Sequence, residues 1–281
     1  MALDLKKFGT RAASAAVFVA VLLSCVLYSY LSFTLFFLIV ALWGLNEFYK
    51  LGSALGFQPY KVPGYIFATL LYFVFINPLV LNPGATFSQF PFQVLISIPF
   101  LLLVLGVFDA KDKPFNNALF SLGGLIYAVL PFALLHGIVA QQKGGIATFE
   151  PNLLIGILLL IWANDTFAYL GGSLCGRHKM IARVSPGKTW EGTIIGVLIT
   201  FGLSFLVKDL LHAGTEKFWL MAGLIVPVMA TLGDLLESVL KRQAGVKDTG
   251  NVLPGHGGIL DRFDSLIFVS PFIWAILQLI Y

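Results

Sequence analysis

Long apolar runs, each interrupted only by a short polar link, fill this chain from residue 12 to residue 281. No other feature constrains the fold as much. A hydrocarbon layer of roughly 30 Å takes about 20 apolar residues to cross in a helix, and only helices and closed barrels satisfy their own backbone there. About nine stretches qualify by this rule, at 12–29, 31–49, 62–81, 91–108, 117–140, 152–172, 189–207, 218–236 and 264–281. Of the 281 residues 58% are hydrophobic and 11% charged, where an ordinary globular chain carries about 25% charged residues. Too little polar side-chain surface remains to cover a soluble particle. The expected fold class is all-α, a polytopic transmembrane helical bundle of about nine spans.

Lys6, Lys7 and Arg11 ahead of the apolar run from Ala12 imitate a cleavable leader, and Leu22-Leu23-Ser24-Cys25 loosely imitates a lipoprotein cleavage site. A second apolar stretch follows at residue 31, which fits a pair of spans better than a removed leader. Placing the amino terminus inside puts fifteen of the eighteen Lys and Arg in the cytoplasm and leaves Lys143, Lys208 and Lys217 outside, the asymmetry of the positive-inside rule. The net charge of +4 is thus an orientation signal, and its scatter between apolar runs argues against a nucleic-acid partner. Cys25 and Cys175 form neither a disulfide framework nor a zinc-ligand spacing. Gly52 with Gly56, Gly172 with Gly176 and Gly192 with Gly196 have the spacing that lets helices approach closely. Packing inside one bundle explains them as well as a homodimer does.

Two polar connections, 176–188 and 237–261, fall on the cytoplasmic side in this topology, so a shared active site there is geometrically open. Residues 1–150 read as transmembrane scaffold and lipid-facing wall, and residues 151–281 as the catalytic part of one integral membrane unit. Glu47 and Glu216 lie outside both polar clusters and receive no site role.

Five acids, Asp234, Glu237, Asp248, Asp261 and Asp264, mix with Lys241, Arg242, Lys247 and Arg262 between residues 234 and 264. Asp234 with Glu237, and Asp261 with Asp264, are three residues apart, so each pair shares a helix face. Carboxylates without clustered Cys or His favour magnesium, which takes one or two of them and keeps water and substrate phosphate. Interfacial salt bridging, such as Glu237 with Lys241, is the plainer reading of either pair alone. Gly255, Gly257 and Gly258 can present successive N–H groups to an anion beside the last helix, or form an ordinary turn. His256 between them is open to three roles: phosphate ligand, turn-stabilising donor or, least favoured, general base. Asp165 inside an apolar helix is a functional candidate because charge there is costly; a salt bridge is the alternative. Gly187-Lys188-Thr189 is not a phosphate-binding loop of the Walker type, which needs glycine where Ala182 stands and a preceding strand. Lys188 either anchors to headgroups or holds a phosphate.

The run Ser238-Val239-Leu240-Lys241-Arg242, then Lys247-Asp248, Gly250, Leu253-Pro254, His256-Gly257-Gly258 and Asp261-Arg262-Phe263-Asp264 resembles, without departure, the signature of the phosphatidate cytidylyltransferases. Asp165 in Ala-Asn-Asp and the segment from Ser185 to Gly192 are also similar to family segments. The resemblance implies an enzyme that joins CTP to phosphatidic acid with magnesium, giving CDP-diacylglycerol and pyrophosphate. It implies metal ligation by the aspartates at 234 and 261. Asp165, Lys188, Glu237, Lys241, Arg242, Asp248, His256, Arg262 and Asp264 are expected to line the site, with Glu237 and Asp264 as further metal candidates. A bacterial inner membrane with the amino terminus inside is the expected location. A CTP-dependent polyprenol-type lipid kinase and a cation-coupled transporter are the rivals.

The charge split makes the topology testable. Cysteines placed at Lys179 and Gly250, in a chain lacking Cys25 and Cys175, are expected to be shielded from an impermeant thiol reagent outside intact cells. One at Thr215 is expected to react. The opposite labelling would reverse the orientation.

Overall fold

The computed structural model describes residues 5–77, 80, 94–143, 146–252 and 257–280. Ten helices carry the fold among them: α1 Leu5–Tyr28, α2 Tyr30–Ala54, α3 Lys61–Val74, α4 Val94–Leu105, α5 Pro114–Ala128, α6 Leu130–Val139, α7 Pro151–Cys175, α8 Trp190–Leu211, α9 Glu216–Gln243 and α10 Leu260–Ile280. Six segments are long and apolar enough to cross a membrane: α2, α5 with α6 taken together, α7, α8, α9 and α10. The other three expected stretches coincide with shorter apolar helices, Ala12–Tyr28, Lys61–Val74 and Ser97–Phe108. At 1.5 Å per residue, the 14 residues of α3 reach about 21 Å.

Local chemistry explains where the helices begin and end. Ser29 caps α2, trading hydrogen bonds with Ser32 in a capping box that stops α1 and starts α2 within one residue. The α5–α6 segment breaks at Val129 (φ −119°, ψ −52°), next to Pro131, which brings no N–H to the helix. Thr189 caps α8 by accepting the Gly192 N–H at 3.2 Å, and Thr215 caps α9 by accepting that of Phe218 at 3.2 Å.

The all-α expectation needs one amendment. Two antiparallel hairpins occur, β1 Ala140–Lys143 with β2 Ile146–Phe149 and β3 Lys179–Ile181 with β4 Ser185–Thr189. The second replaces the expected polar connection at 176–188. Glu191 holds its base by accepting the Arg177 and His178 N–H groups at 3.1 Å and contacting His178 Nδ1 at 2.6 Å.

Helices α7, α8, α9 and α10 pack in succession, and α10 also packs on α6. At the α7–α8 seam a Cβ on Gly192 would lie 2.8 Å from Gly172 Cα, and one on Gly196 would lie 2.9 Å from Ala168 Cβ. A Cβ on Gly52 would enter the Phe120 ring. Gly52, Gly172, Gly192 and Gly196 thus sit at close contacts within the bundle, whereas Gly56, at φ +85°, has open space around it. Phe263 plugs the start of α10 into an aromatic core, with ring centroids 5.5 Å from Phe18, 5.5 Å from Phe132 and 6.1 Å from Phe37.

Gly192→Ala is expected to cost about 1–3 kcal/mol, because its Cβ would strike backbone that cannot turn aside. Gly202→Ala, with nothing within 4 Å of its Cβ, is expected to gain about 0.5–1 kcal/mol. Thermal melting in detergent reads both, and equal melting temperatures would contradict this account of the seam.

Candidate active site

Asp234 and Glu237 come from the last turns of α9, Asp261 from the first turn of α10 and Asp264 from its second. Both pairs therefore meet at one end of the bundle. Lys241, one turn beyond Glu237, donates to Glu237 Oε2 at 2.7 Å and to Asp261 Oδ1 at 2.6 Å. The bridge is nearly dry: the side chains of Lys241, Glu237 and Asp261 are 12%, 0% and 6% exposed. The other Asp261 oxygen, Oδ2, accepts from the Thr249 N–H at 2.8 Å, the Thr249 hydroxyl at 2.9 Å and the Gly258 N–H at 2.7 Å.

The β3–β4 hairpin delivers Lys188 to the same end. Its Nζ lies 2.7 Å from Asp234 Oδ2 and 3.3 Å from the Thr231 carbonyl. Asp234 Oδ1 accepts the Ser238 hydroxyl at 3.2 Å. Asp165, on α7, lines a cavity of about 410 Å³ with Lys188, Asp234, Asn164, Tyr169 and Ser185. Asp165 and Asp264 both stand near enough to Asp234 for the charges to repel. Described residues of 162–192 and of 234–264 thus meet at one end of the bundle. A larger cavity of about 870 Å³, by the α2–α3 link, holds a single carboxylate, Asp109, whose Oδ1 accepts the Lys111 N–H at 3.1 Å. It is lined by Lys61 and Lys111 beside that carboxylate and lacks the paired acids, Asp165 and Asp234, of the smaller one.

Not every expected residue joins the cluster. Arg242 is exposed and gives its Nη1 hydrogen to the Val246 carbonyl at 3.2 Å, closing the end of α9. Asp248 and Arg262 are exposed at the same end. Gly255 and His256 lie outside the described residues. Gly257 adopts φ +80°, the left-handed region that glycine favours. The Gly258 N–H is already taken by Asp261, so the anion at this glycine turn is the protein's own carboxylate.

Sequence reasoning missed Glu47. From α2 it reaches this turn with 1% exposure, its Oε1 accepting the Ile259 N–H at 3.0 Å and its Oε2 the Leu260 N–H at 2.9 Å. The rule that singled out Asp165, an ionisable residue within an apolar run, applies equally to Glu47 in the stretch 31–49. Thr249 and Asn164 were also missed, and a lone Thr or Asn carries no such signal.

Magnesium fits this donor set in a restricted sense. The oxygens are hard carboxylates, and Glu237 Oε1 is buried without a hydrogen-bond partner among the described residues. No three His, Cys, Asp or Glu side chains among those residues converge as a ready-made metal cluster. Magnesium needs only one or two carboxylates when substrate phosphate completes its shell.

Fold and site together define a multi-pass membrane protein whose acids and lysines converge at one end of the bundle. The description of the cytidylyltransferase family matches residues 9–280, and the chain belongs to that family. It is similar to the phosphatidate cytidylyltransferase of Staphylococcus haemolyticus, 35% identical over 213 residues, 75% of this chain and 77% of the relative. That of Staphylococcus saprophyticus is 34% identical over the same shares. An uncharacterized protein of Escherichia coli K12 is 34% identical over 229 residues, 72% of this chain and 76% of its own.

The two lysines are expected to behave differently. Lys241→Met leaves two buried acids uncompensated and is expected to destabilise the protein by about 3–5 kcal/mol. Lys188→Met, whose ion-pair side chains are 24% and 36% exposed, is expected to cost about 0–1 kcal/mol. Denaturation of both variants in detergent separates them, and equal losses would contradict the burial argument.

Proposed function

We propose that this enzyme transfers the cytidylyl group of CTP to phosphatidic acid, releasing pyrophosphate and leaving CDP-diacylglycerol in the membrane. Family membership and the phosphatidate cytidylyltransferase relatives support the reaction. The observation that ties it to this site is the meeting of Lys188 with Asp234 beside the Lys241 bridge. Neither a lipid kinase nor a transporter receives support from the family or the relatives.

A phosphate monoester has its second pKa near 6, so at pH 7 the lipid phosphate is already mostly deprotonated. Its oxygen attacks the α-phosphorus of CTP, the bond to the β-phosphate oxygen breaks, and pyrophosphate leaves with the electron pair. No general base is required, which leaves His256 as a phosphate ligand or a turn-stabilising donor. Lys188 offers a point charge to phosphate at the cavity wall, while Arg242 and Arg262, exposed at the same end, meet the incoming triphosphate with forked donors. Asp165 and Asp248 line the approach. Asp234 and Asp261 would hold magnesium, with Glu237 and Asp264 as further candidates. When bound, the ion neutralises charge on the transferring and leaving phosphates. For Asp261 to offer Oδ1 to a metal, that oxygen would have to give up its hydrogen bond to Lys241.

In the full reading the chain makes nine spans with its amino terminus inside, in a bacterial inner membrane. The site then faces the cytoplasm, where CTP is available. The three shorter apolar helices and the fifteen-to-three charge split support this.

Purified protein given CTP and phosphatidic acid is expected to form CDP-diacylglycerol and pyrophosphate in equal amounts, and chelation is expected to stop it. Asp234→Asn and Asp261→Asn are each expected to lower turnover by on the order of a hundredfold or more. Glu216→Gln, exposed in the first turn of α9, is expected to leave turnover unchanged. Formation of CDP and a newly phosphorylated lipid would replace this reading with the kinase, and full activity without metal would remove magnesium from it.

A further inference from the structure

Glu47 belongs to the half of the chain read as scaffold, yet its carboxylate sits 202 and 213 residues away in sequence from the groups it binds, Thr249 and Leu260. Two N–H groups donate to it, Ile259 at 3.0 Å and Leu260 at 2.9 Å, and the Thr249 hydroxyl, whose one proton it shares with Asp261, stands at 2.9 Å. A carboxylate this deeply buried is tolerable because its lone pairs are met. Space is cleared for it as well. A Cβ on Gly250 or on Gly258 would collide with the Glu47 carboxylate. Two glycines of the family-like signature are therefore small because this side chain from α2 occupies the room.

The link continues to the chemistry. The Thr249 hydroxyl stands 2.9 Å from Glu47 Oε2 and 2.9 Å from Asp261 Oδ2, so its proton lies between two carboxylates. Glu47 also takes the first free N–H groups of α10, where Asp261 is the second residue.

We propose that Glu47 is a positioning residue: it pins Thr249, Ile259 and Leu260 to α2 and, through Thr249, sets the orientation of Asp261. The inference rests on the cytidylyl-transfer reading of the site. Replacement by Gln turns an acceptor into a donor facing either Ile259 or Leu260, and Thr249→Val removes the relay while keeping its shape. Loss of such a supporting partner typically costs about ten- to a hundredfold in metal affinity or activity.

The test compares wild type with Glu47→Gln, Thr249→Val and Thr249→Ser in detergent. Turnover is titrated against magnesium, backbone hydrogen exchange is followed over 249–260, and melting temperature is measured. Glu47→Gln and Thr249→Val are expected to lower turnover about ten- to a hundredfold, to raise the half-saturating magnesium concentration and to speed exchange in that segment alone. Thr249→Ser, which restores the hydroxyl, is expected to return all three toward wild type. Wild-type turnover and exchange in both Glu47→Gln and Thr249→Val would overturn the proposal. So would faster exchange throughout the chain, which signals a general structural role, or a failure of Ser to rescue. Should Glu47→Gln not fold, the two Thr249 variants decide alone. A wild-type protein that makes no CDP-diacylglycerol would sink the function reading instead, and the exchange measurement would still decide whether the segment is pinned.

Discussion

Taking an ion out of water costs several kcal/mol unless a partner meets it at close range, and the Lys241 bridge is where this bundle meets that requirement. One ammonium compensates Glu237 on α9 and Asp261 on α10, so the two helices are tied at the end where their acids would otherwise repel. The site follows from that tie. Asp234, one turn before Glu237, reaches the cavity and takes Lys188 from the hairpin. Phe263, between Arg262 and Asp264, anchors α10 among the aromatic rings and leaves Asp261 and Asp264 on the polar side.

Much of this was legible in the sequence, for identifiable reasons. Apolar runs announce membrane helices because the bilayer admits few other solutions, and the six long helices lie where such runs were read. Three-residue spacing announced that each acidic pair shares a face, and both pairs do converge. What escaped was whatever depends on a partner distant in sequence. Glu47 looks inert until the Ile259 and Leu260 N–H groups are placed against it. The β3–β4 hairpin was hidden because residues 176–189 mix bases, glycine and proline without the alternation that marks a strand.

Glycine in the signature illustrates how a motif can be right while its first explanation is incomplete. An anion-binding turn was a sound expectation, since N–H groups beside a helix start attract negative charge. The turn does bind anions, but in the described residues they are the carboxylates of Asp261 and Glu47. Phosphate recognition then shifts toward the lysines and the exposed arginines at the same end.

The distance in sequence between Glu47 and its partners has a consequence for assembly. At about 5–20 residues per second of synthesis, the 202 to 213 residues that separate Glu47 from Thr249 and Leu260 take roughly 10–40 s to follow it out of the ribosome. Through that interval α2 carries a carboxylate whose final donors do not yet exist. Water or an early neighbour must accommodate it until the N–H groups of Ile259 and Leu260 arrive. Helix α10 therefore closes the site and also relieves an electrostatic debt left by α2.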